Sequence, residues 1–114
     1  MNPKIRRIVD QMNCELHMKR SLNDWARISN LSRSRMCHLF KTQMGVSPGQ
    51  YLKGLRLEAA RTLLETTSLS VKEIRARVGL ADQSHFVRDF NNAYGLPPSQ
   101  YRAQRSSPER AVDA

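Results

Sequence analysis

Two short runs of side chains, alike in spacing, carry hydrogen-bonding groups of the kind that read the edges of stacked bases. The first is Arg33, Ser34, Cys37, His38 and Lys41, and the second, fifty residues on, is Gln83, Ser84, Val87, Arg88 and Asn91. Arginine pairs with guanine edges, Gln and Asn pair with adenine, and Ser or small apolar groups meet base edges or thymine methyls. On a helix each run falls on one face, opposite Met36, Leu39 and Phe40 in the first case and Phe86 and Phe90 in the second. Arg88 and Gln83 are the foremost base-reading candidates. Asp89 runs against the scheme, because an acid repels phosphates, and His85 one turn earlier offers it a partner. The plain alternative for any of these residues is a solvated helix face.

Other chemistry is poorly supported. Cys14 and His17 share a helical face and Cys37 adjoins His38, yet neither pair has a third ligand nearby or a metal-ligand spacing. No Gly-rich phosphate cradle and no nucleophile motif is present, so neither a catalytic site, a metal nor a cofactor is expected. The two cysteines lie in different helices and read as reduced thiols.

Both runs belong to a longer repeat. Phe40, Gly45, Pro48, Gln50 and Tyr51 recur as Phe90, Gly95, Pro98, Gln100 and Tyr101 without a gap. Upstream, at an offset of forty-nine, Ser21 and Asp24 match Ser70 and Glu73, and Asn30-Leu31 matches Gly79-Leu80. Such a repeat is one supersecondary unit used twice. A chain of 114 residues with a net charge of +9 has room for one ordinary domain or two very small ones, and its charge, spread along the whole length, favours a polyanionic partner. No run approaches a membrane span and no apolar leader opens the chain, so no membrane partner and a cytoplasmic location are expected.

The elements that must carry the two runs are helices. Asn2-Pro3 opens the first, whose stripe of Ile5, Ile8, Val9, Met12 and Leu16 runs to about Met18. Ser21 with Asp24 starts a short second helix that Asn30 ends. Ser32 caps the third and Gly45 ends it. Ser47-Pro48 begins the longest helix, with Leu52, Leu55, Ala59, Leu63 and Leu64 apolar as far as roughly Glu65. Ser70 with Glu73 caps a fifth helix closed by Gly79, and Asp82 caps a sixth closed by Gly95. Pro97-Pro98 begins a seventh through Tyr101. No segment alternates like a strand, and the fold class is all-α. The division is a first helix-turn-helix subdomain at 1–46, a linker helix at 47–66, a second subdomain at 67–104 and a disordered tail at 105–114. A linker of roughly 18 residues spans about 27 Å, and successive major-groove openings lie about 34 Å apart. The head-to-tail units therefore suit two adjacent groove turns, read by a monomer at an asymmetric site.

These residues resemble the DNA-binding domain of AraC/XylS-family transcription regulators over about residues 5 to 102. The second half of the signature is Ser70 to Ile74, Val78 to Leu80, Asp82 to Phe90, then Tyr94-Gly95 and Pro98 to Arg102. The first half is Leu31-Ser32, Phe40-Lys41, Gly45 to Pro48, Tyr51-Leu52, Arg56 to Ala60 and Leu63-Leu64. The resemblance implies seven helices, double-stranded DNA as partner, and base contacts from Ser34, Cys37, His38, Gln83, Ser84 and Arg88. It also implies an activator that touches RNA polymerase. Two positions depart from the pattern: Arg75 stands where the family has a small residue, and His38 where an Arg is frequent. Arg75 is expected to lay its stem on apolar surface with its head in solvent or on a phosphate. Family members commonly carry a further ligand-binding or dimerisation domain; the chain is either a single-domain regulator, which the initiating Met with a capped first helix favours, or a fragment of a longer one. The competing class is a helical module for an acidic protein partner, with residual DNA affinity.

Overall fold

The computed structural model describes residues 1–105, which form seven helices and, among the described residues, no strand. They are α1 (Pro3–Cys14), α2 (Leu22–Ser29), α3 (Arg33–Met44), α4 (Pro48–Thr66), α5 (Val71–Val78), α6 (Gln83–Tyr94) and α7 (Pro98–Arg105). Of the tail expected at 105–114, residues 106–114 lie outside the described residues. Arg105 does not belong to it, being the last residue of α7.

Local chemistry fixes nearly every helix boundary. Asn2 accepts a hydrogen bond from the Lys4 amide, with proline at the next position. Ser21 with Asp24, and Ser70 with Glu73, form reciprocal capping boxes that satisfy two otherwise orphaned amides apiece. Helix ends use the left-handed backbone: Asn30 at φ 58° after α2 and Gly79 at φ 84° after α5. An L side chain resists that region, and Asn is the polar residue that tolerates it.

Two expectations about helix length are corrected. The first helix stops at Cys14 rather than Met18, because Glu15 turns the chain and pairs with Arg20 at 2.5 Å, closing a loop before α2. Leu16 still packs on the core from that loop, which is why it completed the apolar stripe in the sequence. At the other end, α7 runs one turn past Tyr101 to Arg105, whose guanidinium reaches Glu65 and the Tyr101 hydroxyl, each at 3.2 Å.

Contacts group the chain into two compact units that meet within α4, between Leu55 and Arg56. In the first unit Ile5, Ile8, Met12, Trp25, Met36, Phe40 and Leu52 form one buried cluster. The second has its own core of Leu57, Ala60, Leu64, Ile74, Val78, Phe86 and Phe90. Helix α4 thus serves the two cores in succession. Of the expected face of Leu52, Leu55, Ala59, Leu63 and Leu64, Leu52 and Leu64 are buried, but Leu55, Ala59 and Leu63 are only partly so, and the buried Leu57 and Ala60 lie outside it.

Candidate nucleic-acid interface

Each reading helix is pinned by two aromatic or Met side chains on its inner face. On α3 these are Met36 and Phe40, both wholly buried, with Phe40 edge-on to Tyr51 at 5.7 Å. On α6 they are Phe86 and Phe90, and Phe90 sits amid three rings: Phe86 at 5.8 Å, Tyr94 at 4.7 Å and Tyr101 at 5.4 Å. Edge-to-face pairs add roughly 0.5–1.5 kcal/mol each beyond area burial. The outer face of each helix is therefore presented by a fixed scaffold.

Along α3, Arg33, Ser34, His38 and Lys41 are exposed, while Cys37 is half-buried and leans on the first core with Leu39. On α6, Gln83, Ser84, Arg88 and Asn91 are exposed and Val87 is half-buried. Eight of the ten expected residues thus stand in the open on the two helices. The half-buried pair, Cys37 and Val87, occupy equivalent positions fifty residues apart.

Arg88 differs from the other exposed residues in having an acid beside it. Its Nε lies 3.7 Å from Asp89 Oδ1, and the Asp89 side chain is only 15% exposed against 63% for Arg88. The Asp89 carboxylate thus lies mostly covered beside the guanidinium rather than on the outer face. A carboxylate placed so opposes a polyanion less directly than one standing on the outer face. His85 Nδ1 is 3.9 Å from Asp82 Oδ1, and the Asp82 carboxyl is held below its ordinary range by the His85 backbone amide.

The turns that set the two reading helices are built differently. Between α2 and α3 the Leu31 amide donates to the Ala26 carbonyl at 3.0 Å, and the Ser29 hydroxyl donates to the same carbonyl at 2.9 Å. Between α5 and α6 the Leu80 amide donates to the Arg75 carbonyl at 3.0 Å. There the Arg75 guanidinium also donates to the Ala81 carbonyl, with Leu80 O at 3.5 Å. Arg75 therefore departs from expectation: its head is spent on turn carbonyls rather than left to solvent or a phosphate. Backbone carbonyls are invisible to residue type, so these partners cannot be named from the sequence.

Sequence reasoning also missed a second such arginine. Arg102 donates to the carbonyls of Leu64 (3.3 Å), Thr67 (3.2 Å) and Leu69, tying the end of α4 and the approach to α5 onto α7. Its place at the end of the family signature, Pro98 to Arg102, was the only signal available. Among the described residues no group of three or more His, Cys, Asp or Glu could hold a metal ion. No helix there is long and apolar enough to cross a membrane.

Two helical units, each ending its short helix in a left-handed turn and presenting a capped second helix, define a helix-turn-helix protein. Known proteins narrow this. A helix-turn-helix domain model matches residues 25–104. The crystal structure of a transcriptional regulator with an AraC-type DNA-binding domain, from Chromobacterium violaceum, superposes with a TM-score of 0.83 at 34% identity, covering 93% of this chain and 95% of that one. The DNA-binding domain of AdpA, a global transcriptional factor solved in complex with a target DNA, gives 0.84 at 28% identity over 89% and 91%. The HTH-type transcriptional activator RhaR of Mannheimia succiniciproducens is 33% identical over 101 residues, 89% of this chain and 37% of its own length. The chain belongs to the AraC-type helix-turn-helix family of DNA-binding transcription regulators, not to a family of enzymes. It spans about a quarter to a third of the length of the curated relatives it matches.

Proposed function

We propose that this chain binds duplex DNA sequence-specifically as a monomer, laying α3 and α6 into successive major-groove turns of one asymmetric site, and that it serves in transcription activation. Bases are read by Ser34, Cys37 and His38 from the first unit and by Gln83, Ser84 and Arg88 from the second, with Arg33, Lys41, Val87 and Asn91 completing the two faces. The observation that carries this reading is the head-to-tail repeat of two capped, outward-facing helices on a chain of net charge +9. Head-to-tail units have no internal two-fold, so a palindrome is not called for. Helix α4 acts as the joining element between reading subdomains at 1–46 and 67–104. Contact with RNA polymerase, in the cytoplasm at the nucleoid, is the partner role that goes with an activator such as RhaR.

A module for an acidic protein partner is not favoured by this family. The two readings separate in competition binding at fixed salt. A groove reader holds its selected duplex at least about 10³-fold more tightly than a scrambled one of equal length, at one chain per duplex. Equal affinity for both would contradict sequence reading, and two chains per duplex would contradict the monomer.

A further inference from the structure

The fifty-residue register reveals an exchange of cations between the two reading helices. Position 38 is His where position 88 is Arg, and position 35 is Arg where position 85 is His. Each helix therefore carries one permanent cation and one histidine in these two places, in opposite order. In the first unit Leu39 stands where Asp89 supports Arg88.

Arg35 is exposed, and among the described residues no acid pairs with it. Contrast Arg20 on Glu15, Arg27 on Asp24 and Arg105 on Glu65. It shares with Ser34, His38 and Leu39 a surface cleft of about 280 Å³. Its direction matters most. Successive residues turn by about 100° on a helix, so position 35 lies off to one side of the arc occupied by 34, 37, 38 and 41. A helix about 10–12 Å across fills a major groove about 12 Å wide. Whatever projects from its flank meets the phosphates bordering the groove, not the base edges on its floor.

We infer that Arg35 is a backbone-phosphate anchor of the first unit, supplying there the permanent charge that position 38 lacks. This deepens, and rests on, the reading of α3 as a groove helix. Phosphate contacts set register and orientation without reading sequence, so the first unit grips more and discriminates less than the second, which reads through Arg88.

The test is the salt dependence of binding to the selected duplex and to a scrambled duplex, for the wild-type chain, Arg35→Ala, Arg35→Lys and Arg88→Ala. Losing one phosphate contact lowers the slope of log affinity against log salt by about 0.9 and weakens binding roughly three- to tenfold near 0.1 M salt. Arg35→Ala is expected to do this equally on both duplexes, and Arg35→Lys to restore most of it. Arg88→Ala is expected to hurt the selected duplex far more than the scrambled one. If Arg35→Ala acts on the selected duplex alone, it reads a base. If slope and affinity both stand unchanged, it is only solvated. Either result overturns the inference. A wild-type chain that binds both duplexes equally, with the slope still falling on Arg35→Ala, would instead remove sequence reading and leave the anchor standing.

Discussion

The two halves reach the same helix-turn-helix plan by different local means. In the first, Asn30 makes the left-handed turn and a buried alanine, Ala26, faces it. Its counterpart forty-nine residues on is Arg75, facing Gly79. The offset then grows to fifty, because the second turn has one residue more: Leu31 leads straight to the cap Ser32, whereas Ala81 lies between Leu80 and the cap Asp82. The carbonyl that Arg75 ties down is that of Ala81, the added residue. A longer turn thus comes with a side chain that fastens it, and the shorter one needs only alanine. The second half is also more elaborately held elsewhere, by a three-ring surround of Phe90, by the Arg102 clasp and by Asp89 beside Arg88.

The largest break in this comparison comes from the cores. Phe90→Ala removes a fully buried ring and is expected to cost about 3–5 kcal/mol. Phe40→Ala, which loses one ring contact against three, is expected to cost less by roughly 1 kcal/mol or more. Denaturant melts of the two variants measure this, and equal costs would mean that the extra ring contacts contribute nothing. Next come the reading residues. Arg88→Ala is expected to lose about 1–3 kcal/mol on the selected site and to relax preference at one base position. His38→Ala is expected to lose less, which parallel binding isotherms would reveal; the reverse order contradicts the division of labour between the units.

Arg75→Ala sharpens the contrast between the turns. Stripping a cationic donor from the turn carbonyls is expected to cost about 1–2 kcal/mol of stability, felt as a lower Tm. A rise in Tm would mean that the buried, unpartnered Nε outweighs the carbonyl contacts. The smallest effect is acid sensitivity. Asp24 is lowered by its hydrogen bonds from Ser21, Glu73 by its hydrogen bonds from Ser70, and Asp82 by the His85 amide. A carboxylate lowered in the folded state lends stability above its unfolded value, near 4, and that stability is lost as pH falls through the folded value. One such cap lies in the first unit and two in the second. The protection of backbone amides from exchange, followed from pH 6 to pH 3, is therefore expected to fall in α5 and α6 before α2 and α3.

Much of the fold was legible because boundary chemistry is local. Capping boxes, Asn30 and the glycines after α3, α5 and α6 announce helix ends within a few residues, and a fifty-residue repeat announces a duplicated unit. Helix α1 was read too long because Leu16 keeps the period while belonging to a loop held by Glu15 and Arg20, a contact with no periodicity. The face of α4 was misread because one helix supplies two cores. Outward residues were legible as the complement of the buried Met36, Phe40, Phe86 and Phe90. The partners of Arg75 and Arg102 were not, because main-chain carbonyls leave no mark in residue identity. Arg35 stands out only against His85, its counterpart fifty residues on.

The central claim, that two unequal units read one asymmetric site, is tested most directly by selecting bound duplexes from a random DNA pool with the wild-type chain. The expected outcome is a site without two-fold symmetry. It should hold two blocks of preference about one helical turn apart, with the stronger block lost on Arg88→Ala and the weaker one left intact. A strict palindrome bound by two chains, or two blocks of equal strength that both fade with Arg88→Ala, would contradict it.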